Sequence, residues 1–349
     1  MTGAEFRVGV TRDFLTPDGR LGFGDIGLGL LEEVPRVTWS FLSEDVTELR
    51  PTDVAGFDAL FVLGPRVTPA TLAGNDRLTL VARFGVGYDT VDVPACTEHG
   101  VLLTISPDGV RRPMAVATLT AMLALSHRLV VKDRLTRAGR WHDRLDWMGT
   151  GLTGRTLGVI GLGNIAREFL RLVAPLEMDT LAYDPYTTEE QSELAGAELV
   201  ALDELLTRSD VVSVHCALTE ETRHLLDATR LATMGPGSLL LNLSRGPIVD
   251  ERALVHALRE GVIAGAALDV FEQEPIDPSN ELLTMDEVIV TPHALGWTDE
   301  LAWGNGSSAC RSILEVAAGR IPQHLVNPEA AEHPRLVARL RHHADRRDR

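Results

Sequence analysis

Thr156-Leu-Gly-Val-Ile-Gly-Leu-Gly-Asn-Ile-Ala166 is the stretch on which the reading of this chain turns. Leu157 to Ile160 is a short apolar run, suited to a buried strand. It ends in Gly161-Leu-Gly163-Asn164-Ile165-Ala166, a G-x-G-x-x-[GA] turn. Ile165, Phe169, Leu172 and Val173 then recur at helical spacing, so a helix begins where the glycines stop. In a dinucleotide fold the first glycine makes a tight turn and the second lets the backbone approach a pyrophosphate. The third small residue lets helix and strand pack closely. The phosphates rest on the free N–H groups and positive dipole end of the helix. Asp179-Thr-Leu-Ala-Tyr-Asp184 follows, a second strand ending in an acid roughly 20 residues on, where a ribose-binding carboxylate belongs.

Context makes this fingerprint informative. Gly22-Phe-Gly24-Asp-Ile-Gly27 fits the strict glycine pattern better, but Thr16-Pro-Asp-Gly-Arg20 before it is a turn cluster where a strand should be. No acid closes a second strand after it, so it reads as a decoy.

Working outward, six apolar runs alternate with helical patterns: 157–161, 179–184, 210–216, 238–244, 265–271 and 287–291. That alternation predicts a doubly wound nucleotide-binding sheet. Upstream, runs at 6–11, 37–42, 59–64, 78–85 and 101–106 predict a smaller parallel α/β domain. Ser106-Pro-Asp-Gly109 reads as a hinge turn, 113–138 as one long apolar helix, and 139–154 as an irregular linker. A helix over about 298–318 returns to the first domain. The Arg-rich segment 329–349, with His342-His343, reads as a solvated, flexible extension.

At 349 residues two domains are the natural division. The formal charge of −17 argues against nucleic-acid or anionic-membrane partners, and requires any anion site to be built from local positive groups. No apolar run is long enough to span a bilayer and no signal peptide is evident, so the chain is placed in the cytoplasm. Cys96, Cys216 and Cys310 stand alone, as core thiols of a reducing compartment, and no metal site is expected. Lys132, the single lysine, follows no glycine loop, which excludes a P-loop lysine.

Three strand ends carry the chemistry. Asn242-Leu-Ser-Arg245-Gly246-Pro247 ends one, Leu268-Asp269-Val-Phe-Glu-Gln-Glu274-Pro275 the next, and Thr291-Pro-His293 the last. Ligands of such sheets bind at the carboxyl edge. There Arg245 can clamp a carboxylate and a reacting oxygen with charge-assisted hydrogen bonds. His293 can move the hydroxyl proton, and a carboxylate partner can orient its ring. This is equipment for hydride transfer at a carbinol beside a carboxylate.

Together with Arg83-Phe-Gly-Val-Gly-Tyr-Asp-Thr-Val-Asp92, these blocks resemble the D-isomer-specific 2-hydroxyacid dehydrogenases, a family that includes phosphoglycerate dehydrogenase-like enzymes. The resemblance runs from about Phe57 to Pro328. It implies two Rossmann-like domains: a doubly wound parallel-sheet NAD domain, 111–297, inserted into a smaller flavodoxin-like substrate domain, 1–110 plus 298–328. It implies Arg245, Glu274 and His293 as the catalytic set, with Arg245, Val86 and Gly87 on the substrate. For NAD it implies Gly161, Gly163, Asn164, Ile165, Asp184, Cys216, Thr219 and Asp269. Asp184 favours NAD over its 2′-phosphorylated form by repelling the phosphate. A homodimer built around residues matching 113–150 is also implied, with a small 2-hydroxy or 2-oxo acid as substrate. The alternatives are a phosphorylated hydroxy acid, contacted by Arg66, Arg111 or Arg112, and an NAD(H)-sensing corepressor-like protein. The chain departs from the pattern at Thr118, where relatives usually carry Glu, and at Ala217, where Pro is common. Ala166 stands for the third glycine.

Overall fold

The computed structural model describes residues 6–345. Residues 1–5 and 346–349, at the ends of the expected first domain and tail, lie outside the described region. The chain divides into two compact units, one running to Val110 and resuming at Trp297, the other Arg111–Gly296.

The first unit is built on five parallel strands: β1 (Phe6–Val10), β2 (Val37–Phe41), β3 (Ala59–Val62), β4 (Leu80–Arg83) and β5 (Leu102–Thr104), in the order β2-β1-β3-β4-β5. This is the flavodoxin-like order, with its switch point between β1 and β3. β3 and β4 are buried along their whole length, as continuous apolar runs require in a parallel sheet covered on both faces. The helix Asp299–Ala317 packs on β4 and β3.

The tail differs from expectation. Residues Pro334–Asp345 form a helix on which Leu336, Leu340 and His343 are buried. Arg339 donates to the carbonyls of Leu78 at 2.6 Å and Gly100 at 3.4 Å, and Arg36 to that of His343 at 3.1 Å. Arginine-rich composition suggested a solvated extension. Leu336 and Leu340, one turn apart, dock the helix together with His343, whose ring meets that of Phe6, and Arg36 and Arg339 satisfy backbone carbonyls.

The second unit holds β6 (Thr156–Ile160), β7 (Asp179–Tyr183), β8 (Glu198–Leu199), β9 (Val211–Val214), β10 (Leu239–Asn242), β11 (Gly265–Leu268) and β12 (Val288–Val290). They form one parallel sheet in the order β12-β11-β10-β9-β6-β7-β8. Six of the seven were expected; β8, two residues at the sheet edge, is too short to leave a pattern. Alternation sorts the side chains. Leu239 and Leu241 enter one core with Leu157, Val159 and Phe169, while Leu240 enters the other with Val212, Ala266 and Leu268. Register pairs Asn242 with Val214 on one side and Leu268 on the other, so the carboxyl ends of β9, β10 and β11 share one edge.

Ser106-Pro-Asp-Gly109 is not a free hinge turn, because the helix Pro107–Ser126 begins at Pro107. Proline is tolerated in a first helical turn, where its missing N–H has no intrahelical acceptor. The expected single helix breaks. A second, Leu129–Arg137, starts after Arg128, whose φ of 54° is left-handed, and the pair is bent by 60°. Among the described residues no single helix is long and apolar enough to cross a membrane.

Candidate active site

The glycine turn has the shape a dinucleotide needs. Gly161 has a φ of +90°, and a Cβ there would sit 2.7 Å from the Cys216 nitrogen. Only glycine fits. A Cβ at Gly163 would meet open space, leaving room for a phosphate against the backbone. The helix Asn164–Val173 starts there and buries Ala166, Phe169, Leu170 and Val173. Its first-turn N–H groups have no intrahelical acceptor, so Asn164 and Ile165 offer donors to an anion. Asp184, half-buried at the end of β7, receives the Leu162 N–H at 2.8 Å and the Tyr186 N–H at 2.9 Å. Its carboxylate is therefore fixed beside the turn. Cys216 lines the turn, and burial pushes its thiol up to about 11. Thr219 lies on an exposed turn closed by its own N–H donating to the Thr222 hydroxyl at 2.7 Å. These residues fit an NAD molecule: an open phosphate cradle, free amides and a placed ribose acid.

On the same carboxyl edge, the loops after β10, β11 and β12 bring Arg245, Glu274 and His293 together. His293 Nδ1 lies 2.8 Å from Glu274 Oε2, and Glu274 Oε1 accepts the Phe271 N–H at 2.9 Å. Burial acts to raise the Glu274 pKa. The His293 hydrogen bond and the Phe271 N–H outweigh it, with the charges of His293 and Arg245 adding to them, so the carboxyl lies below its usual range. With Nδ1 committed to Glu274, Nε2 is the ring atom left to exchange a proton. His293 holds a left-handed φ of 54°, a conformation rare outside glycine.

Arg245 is set by its turn. Asn242, 1% exposed, donates to the Arg245 carbonyl at 3.0 Å and accepts the Ser244 N–H at 3.1 Å. Ser244 in turn donates to the Cys216 carbonyl at 2.5 Å, tying this turn to the cofactor loop.

Asp269 directly follows β11 on the same sheet edge. It is 2% exposed and accepts from the Thr291 hydroxyl at 2.6 Å and from the Ala294 and Leu295 N–H groups at 3.0 and 3.1 Å. Its visible work is to hold the loop that carries His293. Asn242 and Thr291 were not singled out individually from the sequence. An Asn at a strand end, able to bond backbone two or three residues on, was the available signal.

In the first unit, Val86 and Gly87 follow β4. Arg83 is 8% exposed and donates to the Gly87 carbonyl at 3.0 Å and to that of Leu63, while the Ser106 N–H meets Gly85 at 2.9 Å. The loop is thus held by its carbonyls. Among the described residues the Val86 and Gly87 amides make no backbone hydrogen bond of their own.

Residues 119–294 match the model of the D-isomer specific 2-hydroxyacid dehydrogenase, NAD binding domain. The chain belongs to this family. It is 38% identical over 265 residues to a D-3-phosphoglycerate dehydrogenase of Methanocaldococcus jannaschii, covering 76% of this chain and 50% of that one. It thus spans about half the length of that curated relative. It is also 38% identical over 261 residues to a glyoxylate reductase of Korarchaeum cryptofilum, covering 73% of this chain and 78% of the relative. A crystal structure from Thermus thermophilus superposes with a TM-score of 0.81 at 30% identity, covering 92% of this chain and 99% of that one. Membership agrees with the cradle described above, and NAD is the cofactor the matched domain binds.

Proposed function

We propose that this family member is an NAD-dependent oxidoreductase interconverting a D-2-hydroxy acid and its 2-oxo acid. The observation that carries the reading is the His293–Glu274 pair at 2.8 Å, on the same sheet edge as Arg245 and the Gly161 turn. Bound NAD would exchange a hydride with the substrate carbon. Every other requirement falls to the chain. Arg245 orients the substrate carboxylate and the reacting oxygen, and within the first unit Val86 and Gly87 carry N–H groups suited to a carboxylate. His293 takes the hydroxyl proton on oxidation and returns it on reduction through Nε2. Glu274 keeps the ring oriented. Asp184 receives the ribose, Asn164 and Ile165 the pyrophosphate, and Cys216 and Thr219 flank the adenine. Asp269 serves the nicotinamide end through the loop it fixes.

A plain small 2-oxo acid is favoured over a phosphorylated one. Arg112 is committed to Glu168 at 2.7 Å, and Arg66 lies 3.9 Å from Glu48. Neither of these two cations is left uncompensated for a phosphate; Arg111, the third candidate, is exposed and makes no ion pair among the described residues.

The reading includes a homodimer. Leu129, Trp141, Leu145 and Met148 are 58, 61, 74 and 75% exposed on adjoining segments of the second unit, an apolar patch that a second copy would cover. The cytoplasm is assigned as the compartment, with Cys96, Cys216 and Cys310 all free thiols.

The test is NADH consumption against a panel of plain and phosphorylated 2-oxo acids, with the chirality of the product determined. Turnover of a plain acid to the D-hydroxy product, lowered about 100-fold or more in Arg245→Ala, is expected. NADH binding without turnover of any acid would favour the corepressor-like reading instead.

A further inference from the structure

A second imidazole–carboxylate pair lies two residues from Glu274. His224 Nε2 is 2.8 Å from Glu272 Oε1. The same oxygen accepts the Glu251 N–H at 3.1 Å, and the Glu272 N–H donates back to Glu251 Oε2 at 3.1 Å. Each glutamate therefore caps the other's amide. Asn280 closes the set by donating to Glu251 Oε1 at 2.6 Å. Glu251 is the first residue of the helix Glu251–Arg259, so its N–H has no acceptor within that helix. Glu272 supplies one, and its charge suits the positive end of the helix dipole.

These residues join two loops. The helix Glu251–Arg259 begins six residues after Arg245, and the His224 N–H donates to the Pro247 carbonyl at 2.8 Å. Glu272 lies within the turn that delivers Glu274. At Gly246 the two loops touch so closely that a Cβ would fall 1.9 Å from the Phe271 carbonyl carbon. His224 has a left-handed φ of 50°, a costly conformation for a residue with a side chain, and it aims the imidazole at Glu272.

We propose that Glu272, with Glu251 and His224, is a positioning clamp that sets Arg245 against the His293–Glu274 pair. None of the three is among the residues assigned above to substrate or cofactor. They act by fixing the spacing between the group that orients the oxygen and the group that moves its proton. The proposal rests on the functional reading above. Misplacement of a reacting group by an ångström costs about 100-fold in rate, so a clamp at this position has kinetic consequences beyond stability.

The test uses the full chain with Glu272→Ala, Glu272→Gln and His224→Ala. Steady-state rates are measured with the best 2-oxo acid, NADH affinity by fluorescence, and the His293 ring by NMR. The clamp predicts that Glu272→Ala lowers kcat by about 10- to 100-fold while NADH affinity stays within about twofold. Glu272→Gln, which keeps an oxygen for the Glu251 and His224 donors, recovers most of the loss. A folded Glu272→Ala enzyme with wild-type kcat overturns the proposal, even if its Tm falls. If that variant does not fold, His224→Ala decides on the same criteria. If the wild type turns over no 2-oxo acid, the functional reading fails separately. The clamp is then judged by the downfield Nδ1 proton of His293: its loss in Glu272→Ala supports the clamp, and an unchanged signal overturns it.

Discussion

Glu274 shows how local surroundings set a side chain's chemistry. Half-burial alone would raise its pKa. The His293 ring and the Phe271 amide more than reverse that, and the carboxyl ends below its ordinary 4.5. A group with a depressed folded pKa stabilises fully above its unfolded value and loses that contribution as pH falls through the folded one. Urea denaturation of the wild type and Glu274→Gln between pH 3 and 7 should show a constant difference above pH 4.5 that shrinks below it. A pH-independent difference would contradict the assignment. His215 shifts in the same direction for a different reason. Burial pushes it down to about 4, so it stays neutral in the folded protein beside Ser213, 2.9 Å away. Unfolded chains bind a proton there between roughly pH 4 and 6.5, so stability should rise with pH across that window. Thermal unfolding of His215→Gln should show a shallower rise than the wild type.

At the scale of elements, the β6–turn–helix unit ties sequence to function most tightly. Gly161 combines a positive φ with contact against Cys216, so Gly161→Ala should abolish NADH binding in a fluorescence titration; retention of wild-type affinity would count against the cradle. Phe169, fully buried on the helix that follows, should cost about 3–5 kcal/mol in equilibrium unfolding when cut to Ala. These elements were legible because an apolar run, a glycine turn and a 3.6-residue stripe each impose a distinct spacing. The break after Ser126 was not legible. It depends on Arg128 adopting a left-handed φ, which the run of apolar residues on both sides conceals. The hydrogen bonds of Asp269 were hidden for a related reason: its oxygens accept from a hydroxyl and from amides of a loop more than twenty residues away. The Gly22–Gly27 stretch, read as a decoy from its surroundings, does not directly follow a strand, since β1 ends at Val10. In the structure Phe23 packs on Trp297 with ring centroids 4.4 Å apart.

For the molecule as a whole, charge and composition proved a weaker guide than packing. The arginines of 329–349 suggested a loose tail, whereas the helix Pro334–Asp345 is docked with Leu336, Leu340 and His343 buried. The exposed Leu145 and Met148 bear on assembly. Light scattering should report a dimer for the wild type and a monomer for Leu145→Asp with Met148→Asp, and a monomeric wild type would refute the dimer.

The account rests on His293 moving the proton while Glu274 and Arg245 hold the geometry. A single-turnover measurement of NADH consumption, with saturating 2-oxo acid, tests this most directly in wild type and His293→Ala. The account predicts a rate about 10²- to 10⁴-fold slower in the variant, with NADH affinity unchanged. Equal rates in the two proteins would contradict it.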